Sequence, residues 1–214
     1  MEDQAVDQHF IAVQIHTVVI LDFFQPLHDQ TVEKHEIVTT AKLFSKDAFE
    51  TFPTFSPDGK TLYFCTAPAR PIPEEFSEIK YNLCAIGFDP DSRSFGSEVD
   101  TLYNAAVSGQ SASFPRVSPD GKYLMYTVSG YGNFSIWHKD ADLQMADLST
   151  GDSMSLDILN SDDVESYHSW SSNSRWVIFS SRRMDGLYTR PYIAYIDEKG
   201  NACKPSLLPQ KDTG

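Results

Sequence analysis

Residues 113–129 read SFPRVSPDGKYLMYTVS, and residues 51–67 repeat the phrase as TFPTFSPDGKTLYFCTA. A third and more divergent copy, SYHSWSSNSRWVIFSSR, spans residues 166–182. The turn serines Ser56 and Ser118 are 62 residues apart (118 − 56), and Ser118 and Ser171 are 53 apart (171 − 118). Self-similarity at about this period is typical of a repeat architecture, so the repeat is the first indication of the fold.

Each copy predicts a buried hairpin. In Ser-Pro-Asp-Gly, proline presets φ, the Ser and Asp side chains suit a turn, and glycine accepts a positive φ. The third copy has Ser-Ser-Asn-Ser, where we expect Asn173 to tolerate left-handed geometry. Apolar runs follow at residues 62–64, 124–126 and 177–179, and they indicate strands covered on both faces.

A second hairpin follows each copy. We predict strand pairs at residues 81–88 and 97–103, 143–148 and 154–159, and 191–196 and 202–208. Four strands in a repeat of about 50–60 residues form the blade of a β-propeller. The expected fold class is therefore an all-β propeller of four-stranded antiparallel blades.

The number of repeats predicts an incomplete ring, a ring that closes with a second copy of the chain, or an unusually small closed propeller. Three blades, at about residues 45–105, 106–160 and 161–210, and part of a fourth fit in the chain, whereas closed propellers usually have about four to eight. An open end exposes an apolar sheet face. We therefore expect self-association, contact with remaining blades, or a protein partner.

The phrase Phe-Pro-x-x-Ser-Pro-Asp-Gly-Lys followed by an apolar strand resembles the WD-like propeller repeat of TolB-type proteins. The same repeat forms the propellers of prolyl-oligopeptidase-family enzymes. Residues 166–210 are more specifically similar to TolB-like proteins of Bacteroidetes-type bacteria, and the resemblance covers roughly residues 34–210. It implies a fragment of a six-bladed propeller, protein–protein contact, and a location in the periplasm or cell envelope. Propellers host many unrelated activities, so the resemblance is informative mainly about the fold.

The N-terminal region, residues 1–33, has no place in these blades. Apolar residues alternate at Ile11, Val13 and Ile15, which favours a strand, and polar residues interrupt residues 10–27 too often for a membrane span. The acidic start differs from the basic start of a secretory signal. Because the resemblance implies export, we expect a truncated beginning or a fragment of a longer gene product. Residues 31–44 fit the closing strand of a preceding blade, and residues 211–214 form a tail.

Composition excludes several classes of partner and site. The chain has 30 acidic and 17 basic residues, a net charge of −13, which argues against nucleic acid. Cys65, Cys84 and Cys203 lack zinc-site spacing and a disulfide pattern, and we expect Cys65 to be a buried apolar residue. The acidic turns lack EF-hand spacing. We therefore expect no metal and no cofactor.

No catalytic residue is assigned. Residues 109–113, Gly-Gln-Ser-Ala-Ser, lack the final glycine of a nucleophile elbow. An alternative is a propeller-type hydrolase or lyase with its site in the central channel, for which Glu50 and Glu165 are the carboxylates at suitable positions. Another is the propeller accessory domain of a prolyl-oligopeptidase-like peptidase.

The candidate ligand-binding site lies at the channel mouth. Three long loops, at residues 67–80, 129–140 and 182–190, are expected there and carry aromatic residues and arginines, which are enriched where proteins bind partners. His168 replaces Pro53 and Pro115 of the innermost strand and is expected to face the channel, unless it packs against backbone. The candidate residues are Glu50, Tyr131, Trp137, Glu165, His168, Arg182 and Arg183. The leading hypothesis is a non-catalytic propeller module for protein–protein or small-ligand binding in the bacterial cell envelope.

Overall fold

The computed structural model describes residues 14–15, 18–21, 36–38 and 47–209. This part of the chain is an incomplete β-propeller, with three four-stranded antiparallel sheets and one short three-stranded sheet. The short sheet contains β1 (Gln14–Ile15), β2 (Val18–Leu21) and β3 (Glu36–Ile37). The single strand predicted from the alternation that begins at Ile11 is wrong in the described part, because β1 and β2 are separate strands that pair antiparallel. Of the closing strand predicted at residues 31–44, the structure describes residues 36–38, and the rest lies outside the described residues.

Each of the three large sheets is a blade whose strands are neighbours in chain order. Blade 1 contains β4 (Ala48–Phe55), β5 (Thr61–Pro68), β6 (Asn82–Asp89) and β7 (Ser94–Tyr103). Blade 2 contains β8 (Ser111–Val117), β9 (Tyr123–Ser129), β10 (Asp142–Asp147) and β11 (Ser153–Met154). Blade 3 contains β12 (Glu165–Trp170), β13 (Trp176–Ser181), β14 (Arg190–Tyr195) and β15 (Ser206–Leu207). The helical segments are α1 (Ala105–Ser108) and two 3-10 turns, Phe76–Glu78 and Ser135–Trp137.

The fourth strands differ most from the prediction. β7 begins earlier than predicted, at Ser94, whereas β11 stops at Met154 and β15 covers two residues. Residues 155–159 form a turn instead, and its Leu156 and Leu159 are buried in the core between blades 2 and 3. The apolar pattern that had indicated a strand is explained by the burial of these two leucines in the core.

The turns at the centre of the repeats form as predicted in blades 1 and 2, where Gly59 and Gly121 have φ values of 69° and 72°. In blade 3 the left-handed residue is Ser174, with a φ of 58°, and not Asn173. The Ser174 hydroxyl accepts a 2.9 Å hydrogen bond from the backbone N–H of Asp120 in the neighbouring turn. A serine at this position therefore links the turns of blades 2 and 3.

The blades pack face to face. We call the face of a sheet toward the preceding blade its leading face and the opposite one its trailing face. Tyr63 and Cys65 on the trailing face of blade 1 share one core with Leu124 and Tyr126 on the leading face of blade 2. Cys65 is fully buried, as predicted, and burial raises the pKa of its thiol well above the ordinary value.

Blade 2 repeats this arrangement with blade 3, where Tyr123 and Met125 share a core with Val177 and Phe179. The trailing face of blade 3 is different, because Ile178 is 40% exposed. The prediction that residues 177–179 are covered on both faces is therefore wrong for this strand.

The leading face of blade 1 is closed. Leu62 and Phe64 are 2% and 4% exposed, and they belong to a cluster with Cys84 and Ile86. Within the described residues, the open end of the propeller is therefore the trailing face of blade 3. No helix among these residues is long and apolar enough to cross a membrane.

Candidate functional site

Three loops form one continuous surface at one end of the blades, which we call the rim. They comprise residues 69–81, 130–141 and 182–189, and each connects the second and third strands of its blade. The first two loops are joined by a 2.8 Å hydrogen bond from Gly132 N to Ile79 O and a 3.2 Å bond from Asn133 Nδ2 to Phe76 O. The first two of the three long loops are therefore in direct contact.

Close approach of these two loops depends on Gly132. A Cβ atom at this position would lie 2.1 Å from the Tyr81 ring, so only a residue without a side chain fits. The Tyr81 ring in turn belongs to the core between blades 1 and 2. The second loop is therefore anchored to the core through this contact.

Tyr131 lies between the first two loops. Its ring is 5.6 Å from the ring of Phe76, in an edge-on arrangement, and 4.0 Å from the ring of His138. His138 is 7% exposed, and its Nδ1 lies 3.8 Å from Asp140 Oδ1. Tyr131 therefore holds the loops together, and it is partly buried.

The third loop joins the rim through Arg182 and Trp137. The Arg182 guanidinium lies over the Trp137 ring, 5.2 Å from its centroid, and also donates to the Gly186 carbonyl. Arg190 pairs with Asp185 at 2.7 Å and lies over the Tyr188 ring. Two backbone N–H groups and Arg190 hold the pKa of the Asp185 carboxyl at about 2.

The second and third loops expose several large apolar side chains. Five large side chains there are between 63% and 72% exposed: Phe134, Trp137, Met184, Leu187 and Tyr188. Phe134 also has a φ of 55°, an uncommon conformation for an aromatic residue. Sequence reasoning had selected Trp137 alone among these five as a site residue.

Glu165 lies beneath the rim and is fully buried. Its carboxylate accepts hydrogen bonds from Ser161 N at 2.8 Å and from the hydroxyls of Ser161 and Ser181 at 2.7 Å each. Arg183 completes the set with a 2.9 Å ion pair. These bonds occupy both carboxylate oxygens, so Glu165 holds structure together instead of facing a ligand.

Arg183 is likewise directed inward. Its guanidinium lies over the rings of Phe179 and Tyr192, at 5.4 Å and 4.8 Å, and donates to the Leu159 carbonyl. Arg182 and Arg183 are adjacent in sequence, but Arg182 belongs to the rim and Arg183 to the structure beneath it.

His168 does not line an open channel. It is 3% exposed, and its Nε2 donates a 3.0 Å hydrogen bond to the Met125 carbonyl across the interface between blades 2 and 3. Its Nδ1 has no hydrogen-bond partner in the described part of the chain. Burial lowers the pKa of His168 to about 4. His168 is therefore a packing residue, as the alternative interpretation had it.

Three aromatic residues form a ladder along the innermost strands. Phe52, Phe114 and Tyr167 have φ values of 54°, 52° and 50°, and each lies where its strand bulges out of register. The ring centroids of Phe52 and Phe114 are 4.3 Å apart, and those of Phe114 and Tyr167 are 4.8 Å apart. The signal was present in the sequence, because an aromatic residue occurs four positions before each turn serine.

Glu50 lies on β4 and is partly exposed. Since Glu165 is buried and fully hydrogen bonded, the two carboxylates do not form an accessible pair for acid–base chemistry. No group of three or more His, Cys, Asp or Glu side chains is placed to hold a metal ion within the ranges that the structure describes.

Comparison with known proteins supports the fold. No family model matches the sequence, and no curated protein matches it. Among solved structures, the chain is similar to puromycin hydrolase, with 16% identity over 80% of this chain and 25% of that chain and a TM-score of 0.53. It is also similar to a prolyl endopeptidase, with 12% identity over 91% and 26% and a TM-score of 0.51.

The β-propeller domain of the Trilobed protease from Pyrococcus furiosus matches at 18% identity over 78% of this chain and 44% of that chain, with a TM-score of 0.45. The chain thus spans about a quarter of the length of the first two structures and less than half of the third. At these identities the similarity to puromycin hydrolase and the prolyl endopeptidase concerns the fold alone, and it agrees with the β-propeller sheets described above.

Proposed function

We propose that this chain is a non-catalytic β-propeller module that binds a protein partner through its rim. The observation that carries the proposal is the set of five large apolar side chains, 63–72% exposed, on two loops that touch each other. Large apolar patches on the surface of a protein commonly mark interaction sites, whereas single exposed apolar residues are normal. Trp, Tyr, Met and Arg are also enriched at the centres of protein interfaces.

The shape and exposure of the rim favour a protein over a small molecule. Small-ligand sites are concave and enclose about 70–90% of the ligand. The side chains of Trp137, Leu187 and Tyr188 instead project into solvent, each at least two-thirds exposed. A broad partner surface is needed to cover them.

The charge of the rim further defines the partner. Arg190 is neutralised by Asp185 and Arg183 by Glu165. Within the described residues Arg182 contacts the Trp137 ring and the Gly186 carbonyl, and it forms no ion pair with a carboxylate. We expect the partner to place an acidic side chain beside an apolar one, against Arg182 and Trp137.

The repeated phrase supports assignment to the TolB-like group, and with it a partner in the periplasm or bacterial cell envelope and a six-bladed parent ring. The second candidate is the propeller accessory domain of a prolyl-oligopeptidase-like peptidase. It is favoured by the similarity to puromycin hydrolase and a prolyl endopeptidase, which concerns the fold.

Site-specific crosslinking tests the rim. A photoactivatable phenylalanine analogue replaces Trp137 in one variant and Trp176, on the trailing face of blade 3, in a matched control. In cells that express the chain, we expect a protein adduct from position 137 and none of that protein from position 176.

Binding with the purified partner then decides the question. We expect Trp137→Ala to weaken the affinity about tenfold or more, the loss of a typical hot spot. Trp176→Ala should change the affinity less than about twofold, since it removes no rim contact. Unchanged affinity of Trp137→Ala, or an adduct that forms equally from both positions, would overturn the proposal.

A further inference from the structure

The trailing face of blade 3 has the composition of a covered surface. On this face the paired side chains are Ser166, Ser169, Trp176, Ile178, Ser180, Pro191, Ile193, Tyr195 and Ser206. None carries a charge, although the chain has 47 charged residues counted as Asp, Glu, Lys and Arg (30 + 17). A solvated sheet face normally carries polar and charged residues, which alternate along each strand with the apolar residues of the covered face. The trailing face of blade 3 is therefore suited to contact with another apolar surface.

Two equivalent faces in the same molecule are covered. Trp176 and Ile178 occupy the positions of Tyr123 and Met125 in blade 2, five and seven residues after the turn serine. Tyr123 and Met125 are 3% and 0% exposed because blade 3 packs on them, whereas Trp176 and Ile178 are 42% and 40% exposed. The difference in exposure reflects the missing neighbour and not a change to polar residues.

We propose that this face pairs with the same face of a second copy of the chain across a two-fold axis. The leading face of blade 1, which a head-to-tail stack would require, is already closed, with Leu62 and Phe64 at 2% and 4% exposure. The paired residues on the trailing face of blade 3 are uncharged, so contact with the same face of a second copy brings no like-charged side chains of these residues against each other. An isologous pair is also closed, and it leaves no further apolar face of this kind.

The size of the face sets the strength of the pair. A sheet of four strands about six residues long covers roughly 20 Å by 19 Å, or about 400 Å² in projection. A standard specific interface buries about 800 Å² on each partner. The face is about half of that size, so we expect a weak, reversible dimer with a dissociation constant on the order of tens of micromolar.

The test is the oligomeric state of the full chain, measured by sedimentation equilibrium between about 1 and 300 μM, a range that brackets the expected constant. We expect the mass to rise from the 24.1 kDa of one chain toward twice that value. Ile178→Glu places charges against each other across the two-fold axis and should weaken the dimer at least about tenfold. Ser169→Glu, at an exposed position of the same face, is a second variant in case Ile178→Glu folds poorly.

Val107→Glu is the matched control. Val107 is 84% exposed on α1, so the charge change is the same but lies away from the proposed interface, and dimerisation should be unchanged. A mass of 24.1 kDa at every concentration overturns the proposal and assigns the face to another occupant, such as a further blade. A dimer that survives both glutamate variants, or that is lost in Trp137→Ala, also overturns it. The rim proposal does not depend on either result.

Discussion

The second strands of blades 2 and 3 have nearly the same sequence pattern and opposite environments. Met125 on β9 is fully buried, whereas Ile178, seven residues after its own turn serine in the same way, is 40% exposed. Both residues point toward the position of the following blade. An apolar pattern on both faces of a propeller strand thus encodes the requirement for a neighbour on each side, and the burial of a given residue depends on whether that neighbour is present.

The largest expected effect comes from truncating the two residues in parallel. Met125→Ala removes a fully buried side chain and leaves a cavity between blades 2 and 3, so it should lower the free energy of unfolding by about 2–5 kcal/mol. Ile178→Ala removes a side chain that is 40% exposed, and we expect a loss of less than about 1.5 kcal/mol. Urea unfolding of both variants checks the difference.

These measurements belong at low micromolar concentration or below, where the proposed dimer is dissociated. Equal losses in the two variants would contradict the comparison, because they would mean that the trailing face of blade 3 is covered within a single chain. A larger loss for Ile178→Ala at high concentration alone would show that Ile178 is covered only when two chains associate.

A second prediction concerns the covered interface and its dependence on pH. Burial lowers the pKa of His168 to about 4 in the folded chain, against the ordinary value of 6.5 expected on unfolding. The unfolded state therefore binds a proton first as the pH falls. The contribution of neutral His168 to stability is complete above about pH 6.5. Between about pH 6.5 and pH 4 the free energy of unfolding falls by about 1.4 kcal/mol per pH unit, and below pH 4 this contribution no longer changes.

His168→Pro is the matched variant, since Pro53 and Pro115 occupy the equivalent positions in blades 1 and 2. The strand register skips residue 168, so proline removes no hydrogen bond of the ladder. We expect the variant to lose the bond to Met125 yet to show a flatter stability curve between pH 6.5 and 4. Curves of equal slope for the two proteins would show that His168 titrates normally.

The sequence predicted features that are local and missed features that depend on a neighbour. The turns at Gly59 and Gly121 and the strands after them follow from backbone preference and apolar runs, which one hairpin contains by itself. Glu165 and His168 were placed at the channel mouth because their strand leads there. Their burial depends on Arg183 and Met125, which are distant in sequence or belong to another blade, so no local pattern could reveal it.

At the rim, too, local features were predictable and features that depend on a neighbour were not. Strand order predicted that the loops at residues 67–80, 129–140 and 182–190 lie at one mouth of the channel. In the structure, hydrogen bonds join the first two loops, and the contact of Arg182 with the Trp137 ring joins the second to the third. The exposure of Met184 and Leu187 was not predictable, since the loop sequence does not show whether an apolar side chain packs beneath the loop or projects from it. The bulge that aligns Phe52, Phe114 and Tyr167 was visible as a repeated aromatic position, but its left-handed backbone was not.

The smallest expected effect tests the third turn, where Ser174 replaces glycine. Ser174→Gly removes the cost of a side chain at a φ of 58°, about 1 kcal/mol, and also the hydrogen bond to Asp120 N, which contributes about the same. We expect a net change within about 0.5 kcal/mol by urea unfolding. Ser174→Ala keeps the strained backbone and loses the hydrogen bond, so it should be less stable than the natural chain by about 1 kcal/mol.

Gly121→Ala supplies the backbone cost alone, because a Cβ at Gly121 would meet nothing within 4 Å while φ stays at 72°. A loss of about 1 kcal/mol is expected there. If Ser174→Gly instead stabilises the chain by the full amount that Gly121→Ala loses, the bond between the turns contributes nothing. Blades 2 and 3 would then be held together by their apolar faces, and the serine of the third copy would have no role in joining them.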